Sequence, residues 1–76
     1  MEEKLSEFKV RSYGKADLAL MYNPEMCVRE ALRTLMRWIV RNERLYRDLM
    51  ELGYKKSCKI LTPLEVAVIT RYLGEP

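Results

Sequence analysis

The chain has 76 residues, of which 49% are hydrophobic and 33% are charged. This balance is typical of one folded globular domain, and it excludes a disordered chain. The 14 lysines and arginines against 11 acids give a net charge of +3, which favours an anionic partner without requiring one.

The sequence contains no histidine, which removes the Ser-His-Asp and Cys-His arrangements and the commonest metal ligand. Two separated cysteines cannot complete a structural zinc site, and no glycine-rich phosphate loop is present. We therefore expect no enzymatic activity, no catalytic residues, no metal and no cofactor. The two cysteines are expected to be reduced thiols.

The start of the chain carries no secretory signal pattern, and the longest apolar run, residues 18–22, is too short to cross a bilayer. We expect a cytoplasmic protein that does not bind membranes. The polar, acidic start predicts a flexible N-terminus over residues 1–7. A single small helical domain is predicted over residues 8–76.

The first elements in chain order are a short strand and a short helix. Residues 8–13 alternate apolar and polar side chains, which predicts the strand. The helix is predicted over residues 14–22, and a turn follows with Pro24 at its second position. A rival interpretation makes Asn23 an N-cap and Pro24 the first residue of the next helix.

The clearest helix prediction covers residues 27–41. Leu32, Leu35 and Ile39 recur at helical spacing and form an apolar stripe. Opposite the stripe lie four arginines spaced four residues apart, which we name the arginine row: Arg29, Arg33, Arg37 and Arg41. Because like charges at this spacing repel each other, the row resembles an interaction surface more than a stabilising device.

Two further helices are predicted. Asn42 can cap a third helix over residues 43–52, and Gly53 is the expected left-handed stop. Thr62 and Glu65 form the pattern of a capping box at the start of the fourth helix.

A second strand candidate covers residues 58–61, and it can pair with residues 8–12 as a short two-stranded β ribbon. The predicted fold class is therefore mainly α. It is a compact four-helix domain with helix-turn-helix-like order and this short ribbon.

The succession of a short helix, a turn and a longer basic helix resembles a helix-turn-helix motif, whose second helix enters the major groove of DNA. Arginine suits this role because its planar fork can bind guanine edges or grip phosphates. We therefore expect double-stranded DNA as the partner. The candidate nucleic-acid-binding residues are Lys15, Arg29, Arg33, Thr34, Arg37 and Arg41.

Two other interpretations of the arginine row stay open. The row can be an ordinary solvated helix face. Alternatively, the protein is a protein–protein adaptor or dimerising module with no nucleic-acid role. In that case the arginines meet an acidic protein partner, or Trp38 and its neighbours form a homodimer face.

Several stretches of the chain are distinctive in combination: Arg11-Ser12-Tyr13-Gly14-Lys15 with Leu18-Ala19, Ala31-Leu32-Arg33 with Leu35-Met36-Arg37-Trp38-Ile39, Leu52-Gly53-Tyr54, Leu61-Thr62-Pro63 and Tyr72-Leu73-Gly74-Glu75-Pro76. Through them the sequence resembles a family of short, uncharacterised Bacteroidetes proteins classed as a domain of unknown function, over about residues 9–76. The resemblance implies a bacterial cytosolic protein of about this length. It supplies no activity or catalytic residue, and it favours a small regulatory or adaptor role over metabolism.

Overall fold

Four helices and a very short ribbon make up the computed structural model, which describes residues 8–76. The N-terminus predicted to be flexible, residues 1–7, lies outside these residues. The elements are β1 (Tyr13–Gly14), α1 (Lys15–Tyr22), α2 (Val28–Arg41), α3 (Glu43–Glu51), β2 (Ile60–Leu61) and α4 (Pro63–Leu73). The mainly helical fold class and the two-stranded antiparallel sheet are thereby confirmed.

The hydrophobic core takes side chains from all four helices and from both strands. Helix α1 packs on α2, α2 on α3, and α3 on α4. The fully buried large side chains are those of Leu18, Leu35, Ile39, Leu45, Leu49, Tyr54, Leu61, Val66 and Ile69. The apolar stripe predicted on α2 therefore faces the core, and the opposite side of this helix faces solvent.

The ribbon pairs Tyr13 with Leu61 in antiparallel register, so its first strand begins after the predicted segment 8–12. That segment turns back on Tyr13 instead of running beside β2. The Phe8 ring stacks on the Tyr13 ring with centroids 5.4 Å apart, and the Tyr13 hydroxyl donates to the Lys9 carbonyl at 2.8 Å. The alternating pattern was misleading because Val10, one of its apolar positions, is 53% exposed.

The connection between α1 and α2 is the predicted turn with Pro24 at its second position. The backbone N–H of Met26 donates to the Asn23 carbonyl at 3.1 Å, which closes the turn. The rival interpretation, with Asn23 as the N-cap of α2, is wrong because α2 begins at Val28 with Cys27 as its N-cap. Two helices joined by a short turn are therefore present in the order that a helix-turn-helix requires.

The end of α3 directs the following loop back onto the core. Gly53 has a φ of 91°, the left-handed conformation that favours glycine. The backbone N–H of Tyr54 donates to the Leu49 carbonyl at 3.0 Å, and that of Gly53 donates to the Met50 carbonyl at 3.1 Å. This pair of bonds is a Schellman motif, and it buries the ring of Tyr54. The predicted glycine stop is confirmed.

The predicted capping box opens α4. The backbone N–H of Glu65 donates to the Thr62 hydroxyl at 3.2 Å, and the Thr62 N–H donates to the Glu65 carboxylate at 2.9 Å. Pro63 occupies the first turn, where its missing N–H costs nothing. Thr62 is the single residue between β2 and α4, so the cap lies at the junction of the ribbon and this helix.

Changing Thr62 to alanine is expected to lower the free energy of unfolding by about 1–2 kcal/mol, since it leaves one helix N–H without its side-chain acceptor. Urea denaturation followed by circular dichroism measures the change. Ser57→Ala, which removes an exposed loop hydroxyl, is the matched control and should change stability by less than about 0.5 kcal/mol. Equal losses in the two variants would show that the capping box does not stabilise the fold.

Candidate nucleic-acid interface

The arginine row lies on the solvent side of α2, as the helical spacing predicted. All four arginines are exposed, whereas the buried residues of this helix are Ala31, Leu35 and Ile39. At a rise of about 1.5 Å per residue, the four Cα atoms cover about 18 Å along the helix axis. The row is therefore an accessible strip of guanidinium groups that winds about 120° around the helix.

Glu30 lies beside the arginine row, where it lines a small pocket with Arg33 and Arg37. Among residues 8–76, none of the row's four guanidinium groups forms an ion pair. Asp48 instead accepts a hydrogen bond from the Tyr72 hydroxyl at 2.7 Å. Glu25 precedes Arg29 by four residues but lies in the turn before α2, outside the helix that would align the pair. The charges of the row are therefore available to an external anion.

Of the two other candidate residues, Thr34 lines a small pocket with Arg33 and Arg37, whereas Lys15 is buried. The Thr34 side chain is half-buried, and its hydroxyl donates to the sulfur of Met26 at 3.5 Å. Lys15 is only 6% exposed. Its sequence position at the start of α1 suggested an accessible contact, but this position faces the loop between α3 and β2.

Lys15 holds that loop against the start of α1. Its ammonium group donates to the Lys56 carbonyl at 2.8 Å and lies 5.2 Å from the centroid of the Tyr54 ring. Its backbone N–H donates to the Lys59 carbonyl at 2.8 Å. Burial lowers the pKa of Lys15, while the nearby Cys58 and Glu65 act in the opposite direction. Lys15 is therefore a structural anchor of the loop.

Tyr54 joins the same loop to α2. Its hydroxyl donates to the sulfur of Met36 at 3.0 Å. Burial is the main cause that raises the pKa of Tyr54, and the nearby Cys58, Glu65 and Tyr46 add to it. The phenol therefore stays protonated and able to donate through the physiological pH range.

Between α2 and this loop runs a groove of about 510 Å³, which we name the cationic groove. Its cationic side chains come from the arginine row, the start of α1 and the loop. Its apolar surface comes mainly from α2. The groove is lined by Lys15, Ala16, Leu32, Arg33, Met36, Lys56, Cys58 and Lys59. No carboxylate is among these residues.

The cationic groove was missed by sequence reasoning. Lys56 and Lys59 are visible in the sequence as a basic cluster, but nothing local indicates that they face Arg33. Their position depends on the pairing of β1 with β2 and on the Lys15 anchor. Those are contacts between segments more than 40 residues apart.

The cysteines are both free thiols, with Cys27 exposed and Cys58 partly buried.

Over residues 8–76, no group of three or more histidine, cysteine, aspartate or glutamate residues is arranged to hold a metal ion. No helix in the same part of the chain has the length and apolar character needed to span a bilayer.

Together these features define a small, mainly helical domain whose longest helix carries an unneutralised cationic face next to a cationic groove. The chain belongs to the DUF4248 family, a domain of unknown function, whose model matches residues 9–76. No curated protein and no solved structure matches the chain.

Proposed function

We propose that this domain binds double-stranded nucleic acid through the arginine row of α2. The observation that carries the proposal is the exposure of all four guanidinium groups along one helix face without an ion-pair partner among residues 8–76. Four like charges in a line cost a helix stability unless an anion offsets them. The phosphate backbone of a duplex is a linear array of anions that can do so.

The order of elements supports a duplex over a single strand. Helix α2 follows α1 through a short turn, and its 14 residues extend about 21 Å. A B-form major groove is about 12 Å wide and admits an α-helix. In this arrangement Arg29 and Arg33, near the start of α2, are placed for base edges or the nearest phosphates. Arg37 and Arg41 reach phosphates further along the helix.

The loop that bears Lys56 and Lys59 supplies a second contact region in this proposal. Both lysines line the same groove as Arg33, and both are exposed. A cationic loop beside a recognition helix can contact the backbone of the duplex next to the groove. The proposal gives no direct role to Lys15 or Thr34, because Lys15 anchors the loop and the Thr34 hydroxyl is directed to Met26.

A protein adaptor is the second candidate function, and Val40 favours it. Its side chain is 43% exposed, and its position on α2 falls on the same face as the arginine row. An apolar side chain among arginines is typical of a protein interface, where the partner would supply acids around an apolar contact. The same face could also join two copies of this chain.

Fluorescence anisotropy with a labelled mixed-sequence DNA duplex tests the proposal. We expect a dissociation constant in the range of about 1–100 μM near physiological salt, with tighter binding as salt is lowered. Poly-glutamate of matched charge, used as a competitor, distinguishes the adaptor. Displacement of DNA by poly-glutamate at equal charge concentration, or no binding to DNA at low salt, would overturn the nucleic-acid proposal.

A further inference from the structure

We infer that the cationic groove is a binding site for a small aromatic anion, which would place its ring on Leu32 and Met36 and its charged group between Arg33 and Lys59. This inference goes beyond the proposed function, because it concerns a ligand smaller than a nucleic acid and a surface beside the arginine row.

The size and lining of the groove suit such a ligand. Its volume of about 510 Å³ lies within the range of about 300–1,000 Å³ that is usual for small-molecule sites. Such sites combine a mostly apolar surface with a few convergent polar groups. Leu32 and Met36 provide an apolar surface on α2, and Ala16 adds to it from α1.

Charge complementarity selects an anion. Four cationic residues line the groove and no carboxylate does. The Lys15 ammonium bonds to the Lys56 carbonyl, and the Lys56 ammonium lies 5.6 Å from the centroid of the Tyr46 ring. An uncharged or cationic ligand would leave the other two, Arg33 and Lys59, without a counter-ion. Glu65, the acid that acts on Lys15, is buried in the capping box and does not line the groove. A bound carboxylate or sulfonate would therefore meet the Arg33 and Lys59 side chains, which have no ion-pair partner among residues 8–76.

The chemistry of the walls favours an aromatic body over a purely aliphatic one. The faces of aromatic rings attract ammonium and guanidinium groups, and the groove presents both kinds of cation. The thioether of Met36 also makes favourable contacts with aromatic rings, and Met36 is flexible enough to adjust to the shape of a ligand. Each of these contacts adds to the gain from burying the ring.

The probe for the test is 2-naphthoate, titrated into ¹⁵N-labelled protein and followed by two-dimensional NMR. We expect saturable shifts at the amides of Ala16, Arg33, Met36, Cys58 and Lys59. The neutral analogue 2-naphthalenemethanol should bind about tenfold more weakly, because it lacks the charged group. Equal binding of the two compounds, or shifts centred outside the groove, would overturn the inference.

Matched variants separate the groove from general charge. Arg33→Gln with Lys59→Gln removes two exposed cations of the groove and is expected to weaken naphthoate binding about tenfold. Arg37→Gln with Lys55→Gln makes the same change in net charge outside the groove lining and should change the affinity less than about twofold. Equal losses in the two double variants would contradict a defined site.

A variant that fills the groove keeps the charges and tests the cavity itself. Ala16→Phe adds a ring at the groove wall and should block naphthoate while far-UV circular dichroism stays unchanged. Undiminished binding by this variant, with the fold intact, would place the ligand elsewhere and overturn the inference.

Because Arg33 belongs to both the groove and the arginine row, naphthoate should also compete with duplex DNA, a step that rests on the proposed function. We expect saturating naphthoate to raise the dissociation constant of the labelled duplex severalfold. Saturable naphthoate binding in a protein that does not bind DNA would refute the proposed function and leave the groove site standing. DNA binding without naphthoate binding would refute the groove site and leave the proposed function standing.

Discussion

Replacing Arg29, Arg33 and Arg37 together with glutamine is expected to flatten the salt dependence of DNA binding and to remove most of the affinity at low salt. Each phosphate contact contributes about 0.9 to the slope of log K against log salt, so losing three contacts lowers the slope by about 2.7. For the four contacts of the row alone, wild-type affinity should fall roughly 150-fold between about 50 and 200 mM salt and that of the variant about threefold, and loop contacts from Lys56 and Lys59 would add equally to both slopes. Anisotropy titrations across a salt series give both slopes.

A second triple variant shows whether position matters or only net charge. Arg11, Arg47 and Arg71 are exposed and lie outside the arginine row, in the segment before β1, in α3 and in α4. Changing these three to glutamine alters the net charge by the same amount. This change should lower the salt slope by less than about 0.9, which is the contribution of one phosphate contact. Equal decreases of the salt slope in the two triple variants would mean that DNA binding depends on the total charge of the protein and not on the position of the arginine row.

Leu35→Ala is expected to have the largest effect on stability. The Leu35 side chain is fully buried on the core face of α2, between Ala31 and Ile39. A leucine-to-alanine change at such a site costs about 3–5 kcal/mol. A domain of this length has a total stability of roughly 4–11 kcal/mol, so the variant should lose between about a quarter of it and all of it.

Urea denaturation followed by the fluorescence of Trp38 measures this loss, since that ring lies at the interface of α1 and α2 with its edge against Tyr22. The control is Leu64→Ala, which removes the same atoms from a side chain that is 66% exposed. We expect the control to change stability by less than about 0.5 kcal/mol. A comparable loss in the two variants would contradict the assignment of Leu35 to the core.

The helices could be predicted from the sequence because their boundaries are determined by neighbouring residues. Asn42 accepts a hydrogen bond from the Leu45 N–H at 3.1 Å, and Thr62 and Glu65 form both bonds of the capping box. Gly53 supplies the left-handed residue that ends α3. Each of these signals acts over three to five residues, so it is visible without knowledge of the fold.

The first strand and the role of Lys15 could not be predicted, because both depend on distant contacts. Alternation over residues 8–13 is a valid strand signal, but Phe8 stacks on the Tyr13 ring and does not pair with β2. Lys15 is indistinguishable in sequence from an exposed helix-start lysine. Its ammonium group is buried because it donates to the carbonyl of Lys56, which lies 41 residues further along the chain.

The arginine row could be predicted from the sequence in part. Its placement on one exposed face of α2 follows from helical spacing alone, and the structure confirms that placement. The absence of ion pairs to it among residues 8–76 could not be inferred, since Glu30 and Glu43 are close in sequence and could have neutralised it.

The most direct measurement is an NMR titration of ¹⁵N-labelled protein with a mixed-sequence DNA duplex, which observes the arginine Nε–H signals as well as the backbone amides. We predict that the side-chain signals of Arg29, Arg33, Arg37 and Arg41 shift and saturate together, while that of Arg71 on α4 stays in place. Two results would contradict the account. One is saturating shifts centred on α4. The other is that the Nε–H signals of the arginine row do not shift at DNA concentrations where anisotropy reports binding.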